Sequence, residues 1–156
     1  MAKHALSNLQ MEVALAKYFN VRKYIIVPNA SWGLDLHECD LLILMKKSFY
    51  ATEIEIKRSK ADLENDLKKR HGHHSNKIKN LYFAIPAELQ EHIGLIPDRA
   101  GVVLIHSKPG RVTKCQIVRR AKANTNARPF TREEVNKMLE IGIMRIWKLK
   151  EKLSKL

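Results

Sequence analysis

Apolar residues are spaced with a helical period at both ends of the chain and occur in extended blocks between them. In residues 6–19 they recur every three or four positions, and Ser7 or Asn8 can cap the first turn. This pattern predicts an amphipathic helix that carries Glu12. Near the other end, a Thr-x-x-Glu capping pattern opens a basic C-terminal helix over about 131–155.

The central blocks are short, rich in β-branched residues and bounded by polar or Pro/Gly-containing turns, as in β-strands. They predict strands at 22–27, 39–45, 49–57, 81–85, 101–106 and 111–118, with further helices at 60–70 and 87–93. The resulting order is α, β, β, β, α, β, α, β, β, α. We therefore expect one α/β domain over residues 1–156, in which helices flank a mixed β-sheet.

The strand at 49–57 carries charged and apolar side chains in strict alternation. Because side chains at i and i+2 point to one face of a strand, Glu53, Glu55 and Lys57 share one face, and Ile54 and Ile56 supply a buried opposite face. Taken alone, such a pattern also fits a solvated edge strand whose lysine pairs with a glutamate.

Asp40 changes that interpretation, because it directly precedes the apolar run LLILM of the preceding strand. A carboxylate in such surroundings is costly without a positive partner. If the two strands form a hairpin, Asp40 lies alongside Glu55. Two carboxylates from adjacent strands, with Lys57 close to the water that they would share, make a compact site for a divalent cation.

The overall charge raises a conflict that a cation would resolve. The chain has 29 Lys and Arg against 16 Asp and Glu, for a formal net charge of +13, which favours nucleic acid as the partner. Residues 28–56 are nevertheless net acidic, and this acidity would repel phosphate. A divalent cation that bridges carboxylate and phosphate oxygens removes the repulsion.

These residues resemble the PD-(D/E)XK nuclease superfamily, whose motif is an Asp at the start of one strand, a Glu-x-Lys on the next and a Glu on the preceding helix. The matching positions are Asp40, Glu55, Lys57 and Glu12. The stretches EIKRSKADLENDL, FAIPAEL and IPDRAGVVLI further resemble MmcB-type DNA repair proteins and related phage or bacterial endonucleases. The resemblance covers about residues 9–118 and implies a restriction-endonuclease-like core.

The resemblance also implies a metal centre. One Mg²⁺ or Mn²⁺ would be held by Asp40, Glu55 and the backbone carbonyl of Ile56, with Glu12 contributing through water, and Lys57 would orient the attacking water. Two departures from the family pattern stand out. Cys39 replaces the proline before Asp40, and the additional Glu53 leaves open which glutamate binds the metal; we favour Glu55 because it stands two residues before Lys57.

The function that follows is a metal-dependent DNA endonuclease in DNA repair, recombination or phage DNA processing. Two alternatives stay open: a non-catalytic nucleic-acid-binding module with a nuclease-like fold, and a Holliday-junction-type resolvase that acts as a homodimer. Basic side chains beside the predicted site are candidate contacts to the DNA backbone, namely Lys60, Lys68, Lys69, Arg70, Lys77, Lys79, Arg119 and Arg120.

Three histidines and two tryptophans need separate interpretation. His71, His73 and His74 lie in a predicted loop without a cysteine at ligand spacing, so phosphate contact or solvation is favoured over zinc. Trp147 is expected to pack in the core, and Trp32 either stacks on a base or covers the core.

The sequence contains no run of 18 apolar residues and only two cysteines. We therefore expect a cytoplasmic, DNA-associated protein of prokaryotic or phage origin with no membrane partner.

Overall fold

The computed structural model describes residues 5–30, 33–69 and 72–156. The predicted Arg70, His71 and Trp32 lie outside these residues. In chain order the elements are α1 (Asn8–Phe19), β1 (Ile25–Ala30), β2 (Cys39–Leu44), β3 (Ala51–Ile56), α2 (Lys60–Asp66), β4 (Ile78–Pro86), a 3₁₀ helix (Ala87–Leu95), β5 (Gly101–Lys108), β6 (Arg111–Arg119) and α3 (Arg132–Ser154).

The six strands form one sheet in the order β1-β2-β3-β4-β5-β6. The β1/β2, β2/β3 and β5/β6 pairs are antiparallel, and β3/β4 and β4/β5 are parallel. The sheet is therefore mixed and flanked by helices, which confirms the predicted α/β class. A chain that crosses from β3 to a parallel β4 needs a connection over the sheet, and α2 lies in that connection.

The two faces of the sheet are covered by different elements. Met11 and Leu15 of α1 pack on one face, against a cluster that includes Ile54 and Ile56 of β3. On the opposite face there are two separate apolar clusters. One joins α3 to β1 and β2, and the other joins α2 and the 3₁₀ helix to β4 and β5.

Side-chain caps start the three α-helices at the predicted places. Ser7 and Thr131 each form a capping box with the residue three positions later, and the Ser59 hydroxyl accepts from the Asp62 N–H. Such bonds satisfy amide groups that a first helical turn leaves without a partner. Because donor and acceptor are three residues apart, the sequence alone predicts them.

Some element boundaries differ from the prediction. β1 continues through Pro28, which lies opposite Leu41, although the strand was expected to end there. A proline is tolerated at this position because β1 is an edge strand, where one missing N–H need not break a ladder. α2 ends at Asp66 and not near residue 70, and residues 87–95 form a 3₁₀ helix.

The expected core position of Trp147 is wrong, because 66% of its surface is exposed. The buried residues of α3 are Val135, Met138 and Ile141, all in its first half. Apolar spacing identifies a helix face, but only the part of that face that meets the sheet is buried. Within the described residues, no helix combines the length and the apolar composition needed to cross a membrane.

Candidate functional site

Strand β3 places acidic side chains inside the molecule, between the two apolar clusters of one sheet face. Glu53 is 0% exposed and Glu55 is 2% exposed. Glu53 is paired with Leu42 of β2 on one side and with Leu81 of β4 on the other, and these leucines belong to different clusters. The alternation predicted for this strand is confirmed, since Ile54 and Ile56 pack under α1 on the other face.

Asp40 lies beside this strand because β2 and β3 form the predicted hairpin. Leu41 is paired with Ile54, and extending that register by one residue places Asp40 opposite Glu55. The Ile56 N–H donates a hydrogen bond to Asp40 Oδ2 at 2.7 Å, which fixes the carboxylate at the end of β3.

Asp40 also acts electrostatically on two other carboxyl groups. Burial, and next the negative charge of Asp40, raise the pKa of Glu55 to about 8. The same two causes raise the pKa of Glu12 on α1 above its ordinary value. Asp40 of β2 therefore acts on Glu12 of α1 and on Glu55 of β3, and these are the three carboxyl groups that the sequence predicted to share a site.

Lys57 stands just after β3 and is nearly buried, with 7% exposure. Its Nζ lies 3.0 Å from Glu55 Oε2 and 2.8 Å from Asp66 Oδ1. These carboxylates raise the pKa of the Lys57 ammonium well above its usual range, against the opposing effect of burial. Asp66, at the end of α2, was not among the predicted site residues.

Glu53 is held by two histidines from distant parts of the chain. His37 Nε2 lies 2.8 and 2.7 Å from its two carboxylate oxygens, and His73 Nδ1 lies 2.9 Å from Oε1. Although burial opposes it, this pairing lowers the pKa of Glu53 to about 2. Glu53 is therefore ionised and already engaged by its neighbours.

The prediction that His73 is solvated or in contact with phosphate is wrong, because the residue is 2% exposed. Its Nε2 lies 2.9 Å from both oxygens of Asp66, so the ring bridges Asp66 and Glu53. These contacts raise the pKa of His73 to about 9, although burial opposes the shift. The HGHH stretch was visible in the sequence, but its acidic partners were not.

Glu55 differs from Glu53 in having one oxygen without a hydrogen bond. Among the described residues, the buried Glu55 Oε1 has no hydrogen-bond partner, while Oε2 is bound by Lys57. A buried carboxylate oxygen in this condition is unfavourable unless a cation faces it, and His73 Nδ1, at 3.8 Å, is beyond hydrogen-bond distance. The donor chemistry around Asp40 and Glu55 therefore fits the divalent cation that the resemblance implies.

Two of the predicted nucleic-acid contacts have structural partners instead. Lys77 is 9% exposed; its Nζ donates to the carbonyl oxygen of Leu34 and lies 3.1 Å from Glu134 Oε2. The guanidinium of Arg119 donates to the backbone carbonyls of Ala100 and Pro97, each at 2.9 Å. The Lys77 contacts join the segment before β4 to the β1–β2 loop and to α3, and the Arg119 contacts join β6 to the loop before β5. We therefore withdraw both residues as candidate phosphate contacts.

The other described candidates remain near or on the surface. Lys60, Lys68 and Arg120 are exposed, and the Lys79 ammonium lies 4.0 Å from the ring centroid of Tyr50. Lys69 is of particular interest because its side chain is 42% exposed and its Nζ lies 3.3 Å from Asp66 and 3.9 Å from Glu55.

Comparisons with known proteins identify the fold and no more. No family model matches the sequence, and no curated protein matches it. Among solved structures, the chain is similar to a protein of unknown function from Silicibacter pomeroyi, with a TM-score of 0.64 and 16% sequence identity. The match covers 97% of this chain and 93% of that chain, so the likeness extends over nearly the whole chain.

Proposed function

We propose that this protein is a metal-dependent DNA endonuclease that hydrolyses phosphodiester bonds. The observation that carries the proposal is the position of Asp40, which influences both Glu12 and Glu55 while Lys57 lies 3.0 Å from Glu55. An acidic group that repels phosphate is useful in a strongly basic protein when it holds a cation. The resemblance to PD-(D/E)XK nucleases assigns the same four positions to such a site.

Asp40, Glu55 and the backbone carbonyl of Ile56 would hold Mg²⁺ or Mn²⁺, with Glu12 contributing through water. When bound, the ion supplies charge neutralisation at the scissile phosphate and lowers the pKa of a coordinated water. The raised pKa of Glu55 supports this assignment, because a carboxyl group that burial and the charge of Asp40 make hard to ionise becomes easy to ionise beside a cation.

Lys57 is held in place for a role in the reaction. Its ammonium is bound by Glu55 and Asp66, and Asp66 is bound in turn by His73. The ammonium therefore stays charged and has a fixed position close to the proposed metal ligands. From there it orients the attacking water and stabilises negative charge that develops on the phosphate. Asp66 and His73 act as positioning residues for this lysine.

DNA is the proposed substrate because phosphate binding requires a basic surface and the chain carries a net charge of +13. Exposed Lys60, Lys68, Lys69 and Arg120 are the candidate contacts, and Lys69 adjoins the site itself. A cytoplasmic, DNA-associated location in a prokaryotic or phage system belongs to the same proposal.

The test is Mg²⁺-dependent cleavage of plasmid and branched DNA by the full-length protein. We expect Asp40→Asn and Lys57→Met to lower the cleavage rate by at least about 100-fold, the cost of removing one charge-stabilising group from a catalytic site. Asp98→Asn and Lys47→Met, which alter exposed residues with the same changes in charge, are the matched controls. Thermal unfolding by circular dichroism establishes that each variant is folded.

Cleavage that persists in the Asp40 and Lys57 variants, or that needs no divalent cation, contradicts the assignment. The alternative of a non-catalytic binding module has one observation in its favour: both carboxylates near Lys57 already bind its ammonium. Calorimetric titration with Mg²⁺ or Mn²⁺ distinguishes the nuclease from the binding module. The nuclease must bind the metal ion and lose that affinity in Glu55→Ala, whereas the binding module needs no metal affinity. The homodimeric resolvase is tested by comparing cleavage of four-way and linear DNA and by measuring the mass of the protein in solution.

A further inference from the structure

We propose a second metal site beside the first, specific for a divalent transition metal of the zinc class. Its three convergent ligands are His37 Nε2, a carboxylate oxygen of Glu53 and His73 Nδ1. We assign the fourth position to Glu55 Oε1, which lies 3.8 Å from His73 Nδ1. The proposal goes beyond the nuclease function, and the two sites have only Glu55 in common.

The three principal ligands converge from separate parts of the chain. His37 precedes β2, Glu53 lies on β3, and His73 lies in the connection from α2 to β4. His37 Nε2 and His73 Nδ1 each lie 2.7–2.9 Å from carboxylate oxygens of Glu53. The two histidine rings meet edge to face, with centroids 5.3 Å apart. Two imidazoles and a carboxylate form a donor set that selects zinc-like ions over magnesium.

Asp66 fixes the orientation of His73 as metal sites require. Its carboxylate oxygens lie 2.9 Å from His73 Nε2, so this nitrogen carries a proton and Nδ1 faces Glu53. A ligating histidine in proteins almost always donates its other ring N–H to such an acceptor. The arrangement therefore supplies both the ligand atom and the support that holds it.

The Glu55 carboxyl group, already described beside Asp40, also borders this site. Glu55 is 2% exposed, and its Oε1 has no hydrogen-bond partner among the described residues. The distance from this oxygen to His73 Nδ1 is 3.8 Å. An ion between His37, Glu53 and His73 would satisfy it. Glu53 needs no such partner, so the orphaned oxygen is not a general feature of the strand.

Metal binding requires that the histidine nitrogens lose protons and that the ligands move slightly apart. Because Glu53 is ionised, both histidine nitrogens that face it donate a proton in the metal-free protein. When the ion binds, the His73 Nδ1 proton is released to solvent and His73 keeps its Nε2 proton on Asp66. The His37 Nε2 proton moves to Nδ1 of the same ring or is released as well. Tetrahedral zinc ligands are separated by about 3.3 Å, so the group must open by about 0.5 Å.

The experiment is titration of the metal-free, full-length protein with Co²⁺ in the presence of excess Mg²⁺, followed by visible absorption. We expect one equivalent of Co²⁺ to bind with the d–d bands of a low-coordinate site and to be displaced by Zn²⁺. His37→Gln and His73→Gln should each lower the Co²⁺ affinity by at least about 100-fold, and Asp66→Asn by about 10- to 100-fold. His74→Gln, which changes the exposed neighbour of His73, is the matched control.

A second measurement avoids dependence on variants that unfold. In wild-type protein, Zn²⁺ should shift the imidazole nitrogen NMR signals of His37 and His73 and leave that of His74 unchanged. The proposal is overturned if wild type binds no Co²⁺, if the His37 and His73 variants bind as tightly as wild type, or if the shifted signals belong to other histidines.

The two proposals can fail separately. Asp40→Asn should lower Mg²⁺-dependent cleavage by at least about 100-fold and leave Co²⁺ binding in place, because Asp40 is not among the four ligands and acts on Glu55 only through its charge. Histidine-dependent Co²⁺ binding without nuclease activity therefore supports only the second site. Cleavage without such binding supports only the first. Glu55 is unsuitable for this comparison, since both sites use it.

Discussion

Replacement of Glu134 by glutamine tests the structural role assigned to Lys77 and the docking of α3. The Glu134 carboxylate is bound by Arg128 at 2.7 and 3.1 Å, by the Thr131 N–H at 3.0 Å and by Lys77 Nζ at 3.1 Å. Glutamine has nearly the same shape but no charge. It keeps the capping contact and loses the attraction of both cations.

The magnitude follows from the pKa of Glu134. The hydrogen bonds from Arg128, from Lys77 and from the helix cap lower that pKa from 4.5 to about 2, despite opposing desolvation. A shift of this size corresponds to at most about 3 kcal/mol of folding free energy. Since the side chain is 16% exposed and the Arg128 side chain 41% exposed, solvent screening reduces the expected loss to about 2 kcal/mol at neutral pH.

The direction of the pH dependence is fixed by the sign of the shift. A carboxyl group whose folded pKa is depressed stabilises the protein above its unfolded pKa, and this contribution is lost as pH falls toward the folded value. The difference between wild type and Glu134→Gln should therefore be full above about pH 5 and shrink toward about pH 2.

The assay is urea unfolding followed by circular dichroism at several pH values. Glu133→Gln, which removes the exposed neighbouring charge, should change the unfolding free energy by less than about 0.5 kcal/mol. The reasoning is refuted if Glu134→Gln is as stable as wild type at neutral pH, or if the difference between them does not shrink on acidification.

Three further predictions concern the core, the proposed DNA-binding surface and the acidic site. In chemical unfolding, Met138→Ala should lower the free energy of unfolding by about 2–5 kcal/mol and Trp147→Ala by less than about 0.5 kcal/mol, because Met138 is buried and Trp147 is exposed. Similar losses for the two variants would mean that Trp147 packs in the core. If Arg120 contacts a phosphate, Arg120→Gln should reduce the slope of duplex affinity against salt concentration by about 0.9. Lys77→Met should leave this slope unchanged and lower the stability of the protein. Equal changes in slope for the two variants would mean that Lys77 also contacts phosphate. In metal-free protein, the raised pKa of Glu55 should make the free energy of unfolding decrease as pH rises from about 4.5 to about 8. Glu55→Gln should remove the contribution of Glu55 to this decrease. Parallel curves of unfolding free energy against pH for wild type and Glu55→Gln would contradict the prediction.

The helix starts show how far local reasoning extends. The capping boxes at Ser7 and Thr131 join residues three positions apart, so their geometry follows from the backbone of the first turn. The alternation of β3 likewise assigns Glu53 and Glu55 to one face without knowledge of the fold. The hairpin that brings Asp40 to Glu55 is also local, because a short turn joins its strands.

The surroundings of these glutamates depend on contacts between distant segments. His37 and Glu53 are 16 residues apart, and His73 and Glu53 are 20 apart. The bond between Lys57 and Asp66 depends on where α2 ends, which the sequence placed several residues too late. The basic side chains raise the same problem. Lys77 and Lys69 look equivalent in sequence, but Lys77 is buried in contact with Leu34 and with Glu134 of α3.

The sequence by itself determined the order of the elements, the helix caps, the faces of β3 and the pairing of Asp40 with the Glu-x-Lys strand. All of these depend on backbone periodicity or on bonds between near neighbours. The tertiary structure alone decided that Glu53 is bound by two histidines, that Asp66 holds Lys57, and that Glu55 keeps one unpaired oxygen. The physical reason is that burial and partner choice arise when α2, β3 and their connecting segments pack together, and residue spacing carries no information about that packing.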